Sequence, residues 1–126
     1  MHGIFSAMNE TLVRLRKELH QYPELSGEEN ATANRIVDFV KDYQPTNIIE
    51  NIGGAGVAVI YEFCNDGPTV AIRCELDALP IKEENTFSHQ SKNKGVSHKC
   101  GHDGHMTIVA GLAMWLAEAK LKKGSV

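Results

Sequence analysis

Leu12, Val13, Leu15 and Leu19 recur at helical spacing, which predicts an amphipathic helix over about residues 9–21, stopped by Pro23. Ser26-Gly27-Glu28-Glu29 reads as a capping box, and a second helix follows to about residue 43 with Ala33, Ile36, Val37 and Val40 on one face. The period then shortens. Residues 48–52 and 57–61 read as strands around Gly53-Gly54-Ala55-Gly56, a hairpin turn rather than a phosphate cradle because no helix follows it. Asn65-Asp66-Gly67-Pro68 signals a turn, and the apolar run 69–74 suits a buried central strand. After a polar loop over about 80–99, a third helix is expected over about 104–120, with Met106, Val109, Leu112, Ala113, Leu116 and Ala117 on its buried stripe. Helices and strands in this order predict an α/β fold, a sheet flanked by helices.

Composition narrows the classes. A chain of 126 residues, 42% hydrophobic, fits one domain with a core that needs no disulfide staples. The net charge is −3, and no basic block exists beyond the short tail at 120–123, so neither nucleic acid nor a membrane surface is an expected partner. Cys64, Cys74 and Cys100 form no disulfide pattern and suit a reducing cytoplasm, the expected location. Residues 1–7 are too short for a signal peptide and lack a basic leader. No apolar run approaches the roughly 18 residues of a spanning helix.

The chemistry concentrates in His98-Lys99-Cys100-Gly101-His102-Asp103-Gly104-His105. Imidazole, thiolate and carboxylate together are the ligands of zinc and its first-row neighbours. His98, Cys100 and His102 alternate, so an extended backbone would point all three to one side. Cys100 and His102 are the leading ligand candidates; His98 and His105 are ligands or their supports. The competing reading is a buried thiol beside loop histidines. A second group, Arg73-Cys74-Glu75-Leu76-Asp77-Ala78-Leu79-Pro80, lies at the carboxyl end of the apolar run, where open α/β sheets collect ligands. Glu75 and Asp77 leave it on the same side, and either can orient a metal-bound histidine or sit near the metal; a solvated loop end is the alternative. His20 reads as a helix-end histidine near the negative end of the dipole.

Three motifs in order, Leu19-His20-Gln21-Tyr22-Pro23-Glu24-Leu25-Ser26, Arg73 to Ile81, and Cys100-Gly101-His102-Asp103-Gly104-His105, resemble the start of the metal-dependent amidohydrolases. These include N-acyl-amino-acid amidohydrolases, hippurate hydrolases and plant auxin-conjugate hydrolases, a branch of the aminoacylase and carboxypeptidase-type zinc peptidases. The resemblance implies the N-terminal part of a mixed-sheet, helix-flanked catalytic domain that carries two divalent ions, zinc or manganese. By position, Cys100 resembles the ligand shared by both metals, His102 a ligand of one, and Asp77 the aspartate that supports the site; Asp103 and His105 fall in its surroundings. Glu75 stands where the branch usually has Asp, and Ser97 where it commonly has Met. The resemblance further implies a Glu-Glu pair (general base and metal ligand), more metal-binding histidines and an inserted dimerisation domain, all beyond Val126.

The implied reaction is hydrolysis of an amide between an acyl group and an amino acid or related amine, with N-acylated amino acids or peptides as substrates. Residues 1–126 are expected to form only the N-terminal portion of the catalytic domain, with weak metal binding, little turnover and a tendency to self-associate through exposed sheet. Two other classes compete: a non-catalytic zinc or interaction module closed by His98, Cys100, His102 and a carboxylate, and a thiol enzyme with Cys100 as nucleophile and His98 or His102 as base.

Overall fold

The computed structural model describes residues 2–64 and 66–126; Met1 and Asn65, the latter in the expected turn at 65–68, lie outside the described residues. Among the described residues, three helices and one hairpin make up the regular structure: α1 (His2–Gln21), α2 (Asn30–Val40) with a 3-10 turn at Lys41–Tyr43, β1 (Asn47–Ile52), β2 (Gly56–Ile60) and α3 (His102–Glu118). The α/β class is as expected. Helix α1 begins earlier than its apolar stripe, at His2. Among the described residues, no helix is long and apolar enough to cross a membrane.

The core forms where α1 and α2 meet α3. Leu15 and Leu19 of α1 pack on Met106 and Ala110 of α3, with Ile36, Phe39, Cys74 and Leu76 at the margin. A second cluster joins Val40, Tyr61, Ala113 and Leu116, so α3 reaches both α2 and the hairpin. The close approach of α1 and α3 explains a glycine inside a helix: a Cβ on Gly111 would lie 3.1 Å from Leu12 Cδ1. Because α3 is gripped from two sides, its buried set is wider than one stripe and includes Thr107 and Met114, whereas Ala117 is exposed.

Three local expectations are corrected. Ser26 caps nothing, because α2 starts at Asn30, with Glu29 as a cap residue that makes no side-chain bond to the helix. The carboxylate of Glu24 caps instead, accepting from Ala31 N–H at 3.2 Å and also from Thr32 N–H and the Thr32 hydroxyl. Second, residues 69–74 form no ladder strand. β1 and β2 make a two-stranded antiparallel sheet, and Val70 and Ile72 stay 48% and 54% exposed. The run has the composition of an inner strand, but the described residues bring no full strand alongside it. Third, residues 98–102 are not extended: they turn at Lys99 and Cys100, and the helix already begins at His102.

Candidate metal centre

Two backbone anchors bring the distant motifs together. Ala78 N–H donates to Glu24 O at 2.8 Å, and Leu79 and Ser97 exchange two bonds of 3.0 Å. Residues 77–79 are thereby clamped between the end of the first motif and the start of the third. Gly101 then launches α3 from φ 89°, a left-handed conformation that glycine reaches without penalty.

This places His102 over Asp77. Nδ1 of His102 lies 2.8 Å from Asp77 O and 3.1 Å from Asp77 Oδ1. An Nδ1–H donating to those two oxygens leaves the Nε2 lone pair free, the arrangement found behind metal-bound histidines. Nε2 faces Glu75, with Oε2 3.9 Å away. One turn along α3 from His102, His105 joins them: one ligand atom each of Glu75, His102 and His105 lies within 4.8 Å of the others. Thus Glu75 and Asp77 do share a side, with different work: Asp77 grips the back of the ring and Glu75 faces its open nitrogen.

Cys100 is not one of this trio: its Sγ lies 3.7 Å from Asp77 O and 3.8 Å from His98 Nδ1. His98 is 4% exposed, and its Nε2 is buried without a partner. Burial, more than any neighbour, pushes its pKa below the usual histidine value, against the pull of Asp103 and Asp77. A neutral imidazole touching the thiol fits a support for Cys100. The imidazoles of His102 and His105 and the carboxylate of Glu75 form a donor set suited to a divalent first-row metal, and the expected ligand Cys100 lies outside that set.

Asp103 is fully buried and does not reach this cluster's open side. Its Oδ2 meets His20 Nδ1 at 2.8 Å, with Arg16 Nε at 3.5 Å. His20 stands in the last turn of α1, as expected, and its Nε2 also meets Glu83 Oε1 at 2.8 Å, so the ring bridges two carboxylates. Lys99 Nζ also reaches Glu83 Oε1 at 2.8 Å, and Ser91 N–H donates to Oε2. Burial opposes the charge on Glu83, but these donors outweigh it and hold the carboxyl down at about 2. Lys99 and Asp103 flank the Cys100–His102 turn, so this network braces that turn from both ends. Sequence reasoning passed over Glu83 and Glu24. For Glu24 the available signal was an acid just after Pro23 and ahead of a helix; for Glu83, within a polar loop, there was none.

The chain is similar to known proteins over most of its length. The model of Peptidase family M20/M25/M40 matches residues 71–126, the stretch that holds both carboxylates and the Cys100–His105 turn. The N-acetyl-L-cysteine deacetylase of Bacillus subtilis (strain 168) is 38% identical over 90% of this chain and 27% of its own length. The N-acyl-L-amino acid amidohydrolase of Geobacillus stearothermophilus is 39% identical over 81% of this chain and 27% of its own. The crystal structure of the YXEP protein of Bacillus subtilis, a dinuclear metal-binding peptidase from the M20 family, superposes with a TM-score of 0.84 at 36% identity, covering 90% of this chain and 32% of that one. The chain thus spans about a third or less of the length of these relatives. With the same fold and matching motifs, this chain is similar over most of its length to part of proteins of peptidase family M20/M25/M40, whose model matches residues 71–126.

Proposed function

We propose that the chain supplies one side of a two-metal amidohydrolase centre acting on N-acyl amino acids. Cys100 and His102 are its metal ligands, Glu75 and His105 stand close enough to complete the near side, and Asp77 fixes the ring of His102. The observation that carries this reading is the grip of Asp77 on His102 Nδ1, which turns Nε2 toward Glu75. Divalent metal bound there would supply Lewis acidity, polarising an amide carbonyl and acidifying a water. The chain's own residues bind and orient: Asp77 sets the tautomer of His102, His98 backs the Cys100 thiol, and Asp103 with His20 and Glu83 holds the turn.

The relatives' substrates, N-acetyl-L-cysteine and N-acyl-L-amino acids, support the substrate class. Zinc and manganese both suit the site, and the thiol favours zinc. Three free thiols suit a reducing cytoplasm, where we place the protein. The chain spans 27% of the length of these relatives, and alone it is expected to bind metal weakly and turn over little.

Cobalt titration followed by absorbance tests the ligand assignment. A sulfur-to-cobalt charge-transfer band should appear and vanish in Cys100→Ser, and His102→Ala should weaken binding. An unchanged spectrum in both variants would refute it. Chelator-sensitive hydrolysis of N-acetyl amino acids by the 126-residue chain would overturn the expected inactivity.

A further inference from the structure

Buried polar atoms in folded proteins almost always have a hydrogen-bond partner. Among the described residues, the side-chain atoms Arg35 Nη1, His98 Nε2 and Asp103 Oδ1 are buried without one. Arg35 stands apart on α2, where its Nε donates to Glu18 Oε1 at 2.8 Å. The other two belong to a single turn. Gly101 N–H donates to His98 O at 3.3 Å, and α3 begins at the next residue, so tightly turned backbone joins His98 to Asp103. Both side chains are buried, and of the charges around His98 that of Asp103 acts on it most strongly. The two atoms are also complementary, since a ring N–H donates and a carboxylate oxygen only accepts.

The position of the proton on His98 decides between two networks around Cys100. Sγ lies 3.7 Å from Asp77 O and 3.8 Å from His98 Nδ1, and a thiol has one hydrogen to give. With the proton on Nδ1, the ring donates to Sγ and the thiol turns to Asp77 O. The Nε2 lone pair is then buried in the same turn as Asp103 Oδ1, with no donor for either. With the proton on Nε2, that N–H serves Oδ1 and Nδ1 accepts from the thiol. Asp77 O is left to His102 Nδ1, 2.8 Å away. The second network satisfies both orphaned atoms, whereas the first leaves two acceptors desolvated and unpaired, the costlier state in a protein interior.

We infer that Asp103 is a positioning residue for Cys100: its Oδ1 receives the Nε2–H of His98 across one buried water, which fixes the tautomer that draws the thiol hydrogen to His98 Nδ1. Neither atom has a partner at direct hydrogen-bond distance, and one water joins a donor to an acceptor across such a gap. Asp103 thereby serves two histidines, His20 at Oδ2 and His98 at Oδ1. The thiol is held in one orientation, and Asp77 O is kept for His102. The use of this for metal capture rests on the reading of Cys100 as a ligand. The tautomer is read without metal, so its failure and that of the cobalt band are separate results.

Long-range proton–nitrogen NMR of the metal-free chain at pH 7 tests the assignment. His98, identified by the signals lost in His98→Gln, should show a protonated Nε2 and a bare Nδ1. In Asp103→Ala, with the fold checked by circular dichroism, the ratio of the two tautomers should fall by about tenfold or more, the equivalent of one hydrogen bond to a charged group. His20→Gln removes the partner of Oδ2 alone and should leave the His98 tautomer unchanged. A high-resolution crystal structure should show one water within hydrogen-bond distance of both His98 Nε2 and Asp103 Oδ1. If Asp103→Ala does not fold, the wild-type tautomer and this water decide together. A protonated Nδ1 or an even mixture in the wild type overturns the proposal, as does the lack of such a water. An unchanged ratio in folded Asp103→Ala overturns it, and so does an equal shift in His20→Gln, which would trace the effect to the loss of the buried network as a whole.

Discussion

Replacing Glu83 by Gln keeps the shape of the buried hub and removes its charge. Oε1 now takes His20 Nε2 and Lys99 Nζ, each at 2.8 Å, and Asn85 Nδ2 at 3.1 Å, while Oε2 takes Ser91 N–H. A carboxamide has one oxygen and one NH₂, so one of these two sets of donors must face another donor. Hydrogen bonds to a charged acceptor contribute about 1.5–3 kcal/mol each, and the half-exposed Lys99 counts for less. The expected loss is about 2–4 kcal/mol at pH 7, or roughly 6–15 °C in Tm for a chain of this size. The pH dependence sharpens the test. The folded carboxyl is held at about 2, below its ordinary 4.5. A depressed carboxyl contributes stability that is complete above the unfolded value and is lost as pH falls toward the folded one. The gap between wild type and Glu83→Gln should therefore be full at pH 6–7 and close progressively between about pH 4.5 and 2. Urea unfolding followed by circular dichroism across that range measures it, and subtraction cancels carboxyls common to both proteins. A gap below about 0.5 kcal/mol at pH 7, or one that does not shrink with acid, would refute the hub.

Asp77→Asn should reduce cobalt affinity by about 10–100-fold with little change in Tm, since Asp77 acts behind His102; isothermal titration and a melting curve separate the two effects. Leu19→Ala, at a position 1% exposed in the α1–α3 core, should cost about 2–5 kcal/mol in urea unfolding. Gly101→Ala has open space around its new methyl, so its cost is backbone strain alone, about 1–2 kcal/mol at φ 89°, and should show as lower stability without a packing defect in a crystal structure.

Much of the fold was legible in the chain because its signals are short-ranged. Leu12, Leu15 and Leu19 announce α1, and the glycines after Ile52 announce the hairpin, since helical and extended periodicities are set by residues only a few positions apart. The capping of α2 was misread for a similar reason: Ser26 lies within the span a local rule searches, but Glu24 reaches across a turn to Ala31 and Thr32. The run at 69–74 reads as an inner strand by composition, yet a strand exists only with partners, and among the described residues only Ser125 bridges to it.

The candidate site divides along the same line. Residue type and motif single out Cys100, His102 and Asp77 as candidates, because ligand chemistry belongs to the side chains themselves. Which face of His102 is held and which is open, and that His98 backs the thiol, depended on the turn at Gly101 and the clamp of residues 77–79 between Glu24 and Ser97. Tertiary structure alone joined His20 to Asp103, 83 positions away, and to Glu83, 63 positions away. Local sequence carries propensities and donor types; the pairing of buried charges is chosen by the packing of α1 on α3, which removes water and leaves those groups only each other to satisfy them.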